Sequence, residues 1–199
     1  MTDARTAVLT RIAAALTDRP TPAVPRTYRR ASGPGDPYLF AERLRDYRAQ
    51  VRLVPATDTA QAVTDALTER EAQHVVAAPG VPAEWAPRAT RAIPDLAGLE
   101  RTDAVVTACR VAIADTGTIV LDHDAPDQGP RSLTLVPDYH LVVVRADQIV
   151  AGVPDAVAAL AGVRTQTWIS GPSATSDIEL ERVEGVHGPR TLEVVITLP

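Results

Sequence analysis

The sequence contains no lysine and no asparagine, and it has one cysteine, one methionine and one phenylalanine among 199 residues. All 20 of its basic residues are arginines. Each absence removes a class of chemistry. Without lysine there is no Schiff-base nucleophile and no P-loop amine to reach a phosphate. A single cysteine, Cys109, cannot hold an iron–sulfur cluster, build a zinc knuckle or close an internal disulfide. A GC-rich genome depletes lysine and asparagine codons without selection on the protein, but the exclusion holds whatever its cause.

Excess positive charge is also missing. The net charge is −5 and the pI is near 5.4, against the basic stripe that a general nucleic-acid binder needs. No apolar run approaches the roughly 18 to 20 residues that span a bilayer. The segment Met1 to Arg19 carries Asp3, Arg5 and Arg11 where a signal peptide needs an uninterrupted apolar core. The expected location is therefore the cytoplasm.

What remains is ordinary globular usage, 45% hydrophobic and 23% charged, enough for one well-buried domain. Residues 4–17 place Val8, Leu9, Ile12, Ala15 and Leu16 on one helical face, and Pro20 ends that helix. Residues 20–37 hold five prolines and two glycines among arginines, and read as a tether or as a flap bearing Arg26, Arg29 and Arg30. The chain therefore divides into an N-terminal helix and arm, residues 1–36, and a single domain, residues 37–199.

Within that domain an amphipathic helix is expected over 38–50, followed by strand Val51–Val54, a helix from Asp58 through Arg70 and strand His74–Ala77. Further β-branched runs cover Ala104–Thr107, Val111–Ile113, Thr118–Leu121, Leu141–Val144, Thr165–Ile169 and Leu192–Leu198, with a helix at 154–161. Helix–strand alternation points to an α/β fold with helices on both faces of a mainly parallel sheet. Connections after residue 100 are too short for a crossover helix each time, so some pairs must be antiparallel and the sheet mixed.

Three short segments interrupt this pattern. Ala114-Asp115-Thr116-Gly117-Thr118 sets a carboxylate and two hydroxyls around a glycine between two strands. Asp115 can serve there as acid, base or nucleophile, or the segment is simply a hairpin turn. Ser170-Gly171-Pro172-Ser173-Ala174-Thr175-Ser176-Asp177 follows a strand and can cradle an anion or cap a helix starting near Asp177. Gly185-Val186-His187-Gly188-Pro189 exposes a histidine between glycines. The loop Asp122-His123-Asp124-Ala125-Pro126-Asp127 has metal-ligand chemistry but matches no metal spacing, and no metal is expected. The run Gly33-Pro34-Gly35 lacks the third glycine and the preceding strand of a dinucleotide fingerprint.

Taken together, Ala112–Leu121, Arg131-Ser132-Leu133 with Pro137 and His140, Ile169–Glu179 and Gly185–Pro189 resemble the lactate utilization protein C family, the lactate-utilization domain proteins, over about residues 37–199. The resemblance implies a three-layer α/β/α fold similar to the sugar-phosphate isomerase and CoA-transferase superfamily. It also implies a role beside two iron–sulfur proteins that oxidise L-lactate to pyruvate, with the clusters in those partners and no cofactor on this chain. In related CoA-transferases a glutamate before a small residue and glycine attacks the acyl group, and Asp115 stands in a similar context. Asp115 is thus the candidate catalytic residue. Thr116, Gly117, Thr118, Arg131, His140, Gly171, Ser173, Thr175, Asp177 and His187 are the candidate ligand-binding residues, for a small carboxylate or other anion. An acyl- or CoA-transferring enzyme and a non-catalytic anion-binding module remain alternatives.

Overall fold

The computed structural model describes residues 3–17, 23–28, 31–175, 183–184 and 188–199. Helix α1 (Ala4–Ala15) forms as expected, with Asp3 capping it, but none of its residues is buried. Its apolar positions Val8, Leu9, Ile12 and Leu16 all face solvent. Arg26 of the following arm is exposed, and Arg29 and Arg30 lie outside the described residues.

The chain joins the body of the molecule just before α2 (Pro37–Asp46). The Asp155 carboxylate accepts hydrogen bonds from the Ser32 and Gly33 N–H groups, each at 2.7 Å, and from the Gly152 N–H at 3.1 Å. These backbone donors, Gly33 first, hold Asp155 below the usual carboxylate range. Asp36 then caps α2 by accepting from the Tyr38 N–H at 2.8 Å, and Pro37 supplies the preset φ of a first helical turn. The helix buries Phe40, Ala41 and Leu44 and stops four residues short of the expected residue 50. Arg48 takes a left-handed φ of 67°, and the Ala49 N–H reaches back to the Leu44 carbonyl at 3.0 Å. This terminator turns the chain into β1 (Gln50–Pro55).

Helix α3 (Thr59–Glu69) buries Thr59, Ala62, Val63 and Ala66, one face at helical spacing. The remaining elements are β2 (Val75–Ala77), α4 (Leu96–Leu99), β3 (Ala104–Thr107), β4 (Val111–Ile113), β5 (Thr118–Asp122), α5 (Arg131–Leu135) and β6 (Tyr139–Arg145). They are followed by β7 (Ile149–Val150), α6 (Val153–Ala159), β8 (Gln166–Ile169), β9 (Ala174–Thr175), β10 (Val183–Glu184) and β11 (Thr191–Leu198). The short elements α4, α5, β7, β9 and β10 have too few residues to leave a periodic signal in the sequence.

The strands divide among three sheets instead of forming one mixed sheet. Five strands in the order β1-β11-β6-β3-β2 form a wholly parallel sheet. Four strands in the order β7-β4-β5-β8 form a mixed sheet, and β9 pairs antiparallel with β10. The parallel strands are covered on both faces, which is why Leu141–Val144 and Val194–Ile196 read as unbroken apolar runs. One face packs Leu141, Val143 and Val195 against Ala62, Val63 and Ala66 of α3. The other packs Val142, Val144, Val194 and Ile196 against Phe40 and Leu44 of α2 and against Ala112, Ile119 and Leu121 of the mixed sheet. Helices α3 and α2 thus sandwich the parallel sheet in an α/β/α arrangement, and α6 covers the far face of the mixed sheet through Ala156 and Leu160. Among the described residues no helix is long and apolar enough to cross a membrane.

Candidate functional site

Two of the three segments singled out in the sequence meet near the end of α2. Residues 114–117 are the turn joining β4 to β5, where Ile113 pairs with Thr118. Gly117 has a φ of +62°, and a Cβ there would stand 2.8 Å from the Arg43 Cβ of α2. Both the left-handed backbone and the close approach require glycine. On the neighbouring strand, Gly171 follows β8 with a φ of +85°, and its Cβ would stand 2.7 Å from that of Tyr47. The end of α2 therefore presses directly on both glycines.

The antiparallel pairing of β5 with β8 sets Ile119 opposite Ile169, which brings the next residues, Thr118 and Ser170, together. Their hydroxyls lie 2.8 Å apart, and Thr116 adds a third at 2.7 Å from Thr118. Ser170 carries this hydroxyl chain to the rim of a cavity of about 220 Å³. The cavity lies between the first residues of β6 and β11 and the segment following β8. Its polar lining includes Thr134, His140, Thr167, Ser170 and Ser173, and its apolar lining includes Leu135, Ile169, Pro189 and Leu192. The Ser173 N–H donates to the Pro189 carbonyl at 2.8 Å, tying the second predicted segment to the third.

His140 is wholly buried on this wall, in register with Leu192 of β11. Its Nε2 lies 2.8 Å from the Thr107 hydroxyl of β3. Its Nδ1 has no hydrogen-bond partner. Burial, with a smaller push from His123, lowers its pKa from the ordinary 6.5 to about 3, so the imidazole is neutral at physiological pH. His123 is fully engaged. Its Nδ1 donates to the Gly129 carbonyl at 2.9 Å, and its Nε2 lies 2.7 Å from the Thr167 hydroxyl. Both nitrogens of the metal-capable loop's histidine are thus used within the protein, and no group of metal-ligating side chains exists among the described residues.

The structure gathers His140, Gly171 and Ser173 onto one cavity and connects Thr116 and Thr118 to it through Ser170. Asp115 and Arg131 do not line it. Asp115 is exposed on the other side of its turn, where its N–H donates to the Ala151 carbonyl and its carboxylate faces Gly152. Arg131 is exposed at the first position of α5. Asp115 and Arg131 therefore stand apart from His140 and Ser173, because β4–β5 directs Asp115 toward α6. Thr175 contributes backbone pairing to Val183, while Asp177 and His187 lie outside the described residues.

Two polar positions were not foreseen. Thr107 closes an otherwise apolar buried strand and holds His140. Glu193, 1% exposed, interrupts the apolar run of β11 on the opposite face of the sheet. It accepts from the Arg52 Nε at 2.7 Å and the Tyr139 hydroxyl at 2.8 Å, with the Arg70 Nε at 3.5 Å. The Arg70 guanidinium also stands 4.9 Å above the Tyr139 ring. Burial, reinforced by Glu193, raises the Tyr139 hydroxyl well above its ordinary range. A lone charged residue within a strand of apolar neighbours was the signal available for Glu193.

Comparison with known proteins places this geometry in a lineage. The chain is 48% identical over 168 residues to "Lactate utilization protein C" of Deinococcus radiodurans, covering 80% of this chain and 78% of that one. It is 31% identical over 113 residues to a protein of the same name from Anoxybacillus flavithermus, covering 55% of this chain and half of that one. A crystal structure of a DUF162 family protein from Deinococcus radiodurans superposes with a TM-score of 0.69 at 40% identity, covering 81% of this chain and 95% of that one. The family model of the LUD domain matches residues 95–197, which span β3 to β11 and hold every described residue lining the cavity. The chain belongs to the LUD domain family.

Proposed function

We propose that this protein is a non-redox component of an L-lactate utilization system, in which iron–sulfur partner proteins carry out the oxidation of L-lactate to pyruvate. The observation that carries this reading is the 48% identity, over 80% of the chain, to a protein named for lactate utilization. Its chemistry is consistent with the division of labour. The chain's one thiol, Cys109, is buried and its pKa is pushed up to about 12, so it is neither a cluster ligand set nor a ready nucleophile. On this reading electrons move in the partners, and this chain supplies binding or assembly.

The test is genetic and biochemical. Deletion of the gene is expected to abolish growth on L-lactate, with growth restored by the intact chain. Affinity purification of the tagged protein from lactate-grown cells is expected to recover iron–sulfur proteins. Unimpaired growth of the deletion strain, together with purification of the chain alone, overturns the proposal.

A further inference from the structure

Helix α1 is a formed element with no surface to lie on. Asp3 caps it, it runs for 12 residues, and none of them is buried. Its large apolar side chains Val8, Leu9 and Ile12, with Leu16 at the C-cap, recur at three- and four-residue spacing and so share one face. Each of the four keeps about half of its surface exposed. Arg5, three residues before Val8 and four before Leu9, stands at the head of the same face. A lone helix of this length is marginal in water, and covering such a stripe stabilises it.

A surface of matching chemistry lies beside α3. An open groove of about 990 Å³ runs between the second half of α3, the start of β2 and residues 86–89. Its apolar wall is made by the partly buried Leu67, Ala72, Val75 and Ala89, and its charged lining is Glu71 and Arg88. Charge also pairs the two regions. Residues 1–31 hold six arginines against two aspartates, whereas the other 168 residues hold 14 arginines against 23 acidic residues. The helix thus sits in a basic segment of an otherwise acidic chain, and Arg5 on its stripe has an opposite charge available in Glu71.

The tether decides which copy receives the helix. Residues 17–31 separate Leu16 from Ser32, where the chain is fixed to Asp155. Extended, they span about 50 Å. A body of this size is about 40 Å across. Tethering at that length favours docking on the same chain over docking on a separate one, yet α1 stands clear of its own body with every residue exposed. Its own groove is not its seat, which leaves the groove of a second copy.

We propose that two copies of this chain associate by exchanging α1, each helix laying its Val8–Leu16 stripe in the α3 groove of the other with Arg5 against Glu71. Such an exchange is two-fold and closed, so assembly stops at a dimer. Covering both stripes and both grooves buries on the order of 1,400 Å², within the range of stable, specific interfaces.

The test is sedimentation velocity of the full chain across micromolar concentrations. The parent is expected to dimerise in that range. Ile12→Asp is expected to weaken the dimer at least roughly a hundredfold. It leaves the core untouched, since α1 contributes nothing to it. Arg5→Glu and Glu71→Arg each set like charges together twice in the dimer, and each should weaken it about tenfold. Mixing these two variants is expected to restore association to the parent level, because each helix then meets an opposite charge in the other copy's groove. A monomeric parent, a dimer indifferent to Ile12→Asp, or no recovery on mixing overturns the proposal. Other seats for α1 give their own overturning results. Ile12→Asp exposing α3 amides to hydrogen exchange in a monomeric parent places the helix in its own groove. Co-sedimentation of a monomeric parent with phosphatidylglycerol vesicles places it on a membrane. None of these outcomes depends on lactate or on iron–sulfur proteins, so this proposal and the functional one fail separately.

Discussion

The amino ends of β6 and β11 present two polar sites back to back, one on each face of the parallel sheet. Consecutive residues feed opposite sites: Tyr139 and Glu193 face α3, whereas His140 and Leu192 face the cavity. On the α3 side every polar group is answered. Glu193 has Arg52, Arg70 and Tyr139, and Arg52 also forks onto Glu69 at 2.6 and 3.1 Å. On the cavity side His140 has one partner for two nitrogens. A completed cluster fixes a helix to a sheet and has nothing left to offer a ligand. The incomplete one leaves a buried nitrogen without a partner.

The largest test of this contrast is Glu193→Ala. Removing the buried carboxylate leaves the Tyr139 hydroxyl and two guanidinium groups without their shared acceptor, and is expected to cost about 3 kcal/mol in urea unfolding. A loss comparable to that of a surface substitution would mean the cluster does not hold α3 to the sheet. Next is Gly171→Ala, expected to cost about 2 kcal/mol through its positive φ and the collision with Tyr47. The same change displaces the Ser170–Ser173 wall, so it should weaken any ligand of the cavity as well. An alanine variant with unchanged stability would show that this wall moves freely.

The third test is a pH titration of stability. A histidine whose folded pKa lies near 3 stays neutral while its unfolded counterpart takes up a proton below about 6.5. Its contribution is therefore complete above the unfolded value and is lost as the pH falls from there toward 3. The slope should be on the order of 1 kcal/mol per pH unit just below 6.5, and should flatten in His140→Phe relative to the parent. Parallel curves for the two proteins would mean that His140 is solvated. The smallest effect is expected from Arg70→Met, about 0.5 to 1 kcal/mol, because Arg70 is partly exposed and 3.5 Å from Glu193. If Arg70→Met costs as much as Glu193→Ala, the arginine rather than the carboxylate is the keystone.

Much of this architecture is written in local sequence. The long strands and α3 appear within a residue or two of their expected bounds, because buried β-branched runs and a one-sided apolar helix leave strong periodic marks. The end of α2 was misjudged because Arg48, not a glycine, adopts the left-handed turn, and nothing about arginine announces that. The division of the strands among separate sheets was not legible either, since it depends on which strands become neighbours. The site divides the same way. Gly171 and Ser173 were visible as breaks in pattern and His140 through the family resemblance, but the separation of Asp115 from His140 follows from the direction of the β4–β5 turn. Thr107 was missed because a threonine suits a strand well and draws no notice until its hydroxyl is found on an imidazole.

The position of β11 between β1 and β6 also has a consequence for biosynthesis. Arg52 and its partner Glu193 are separated by 141 residues, so β1 leaves the ribosome long before β11, its one sheet neighbour among the described residues, exists. Until Thr191–Leu198 arrives, β1 and β6 each present an unpaired apolar edge, a template for strand addition by another chain. Translation stalled or truncated ahead of Thr191 would thus yield an aggregation-prone nascent chain rather than a smaller working domain. Chaperone demand should be greatest in that interval, and it should end when one eight-residue strand slots into the gap.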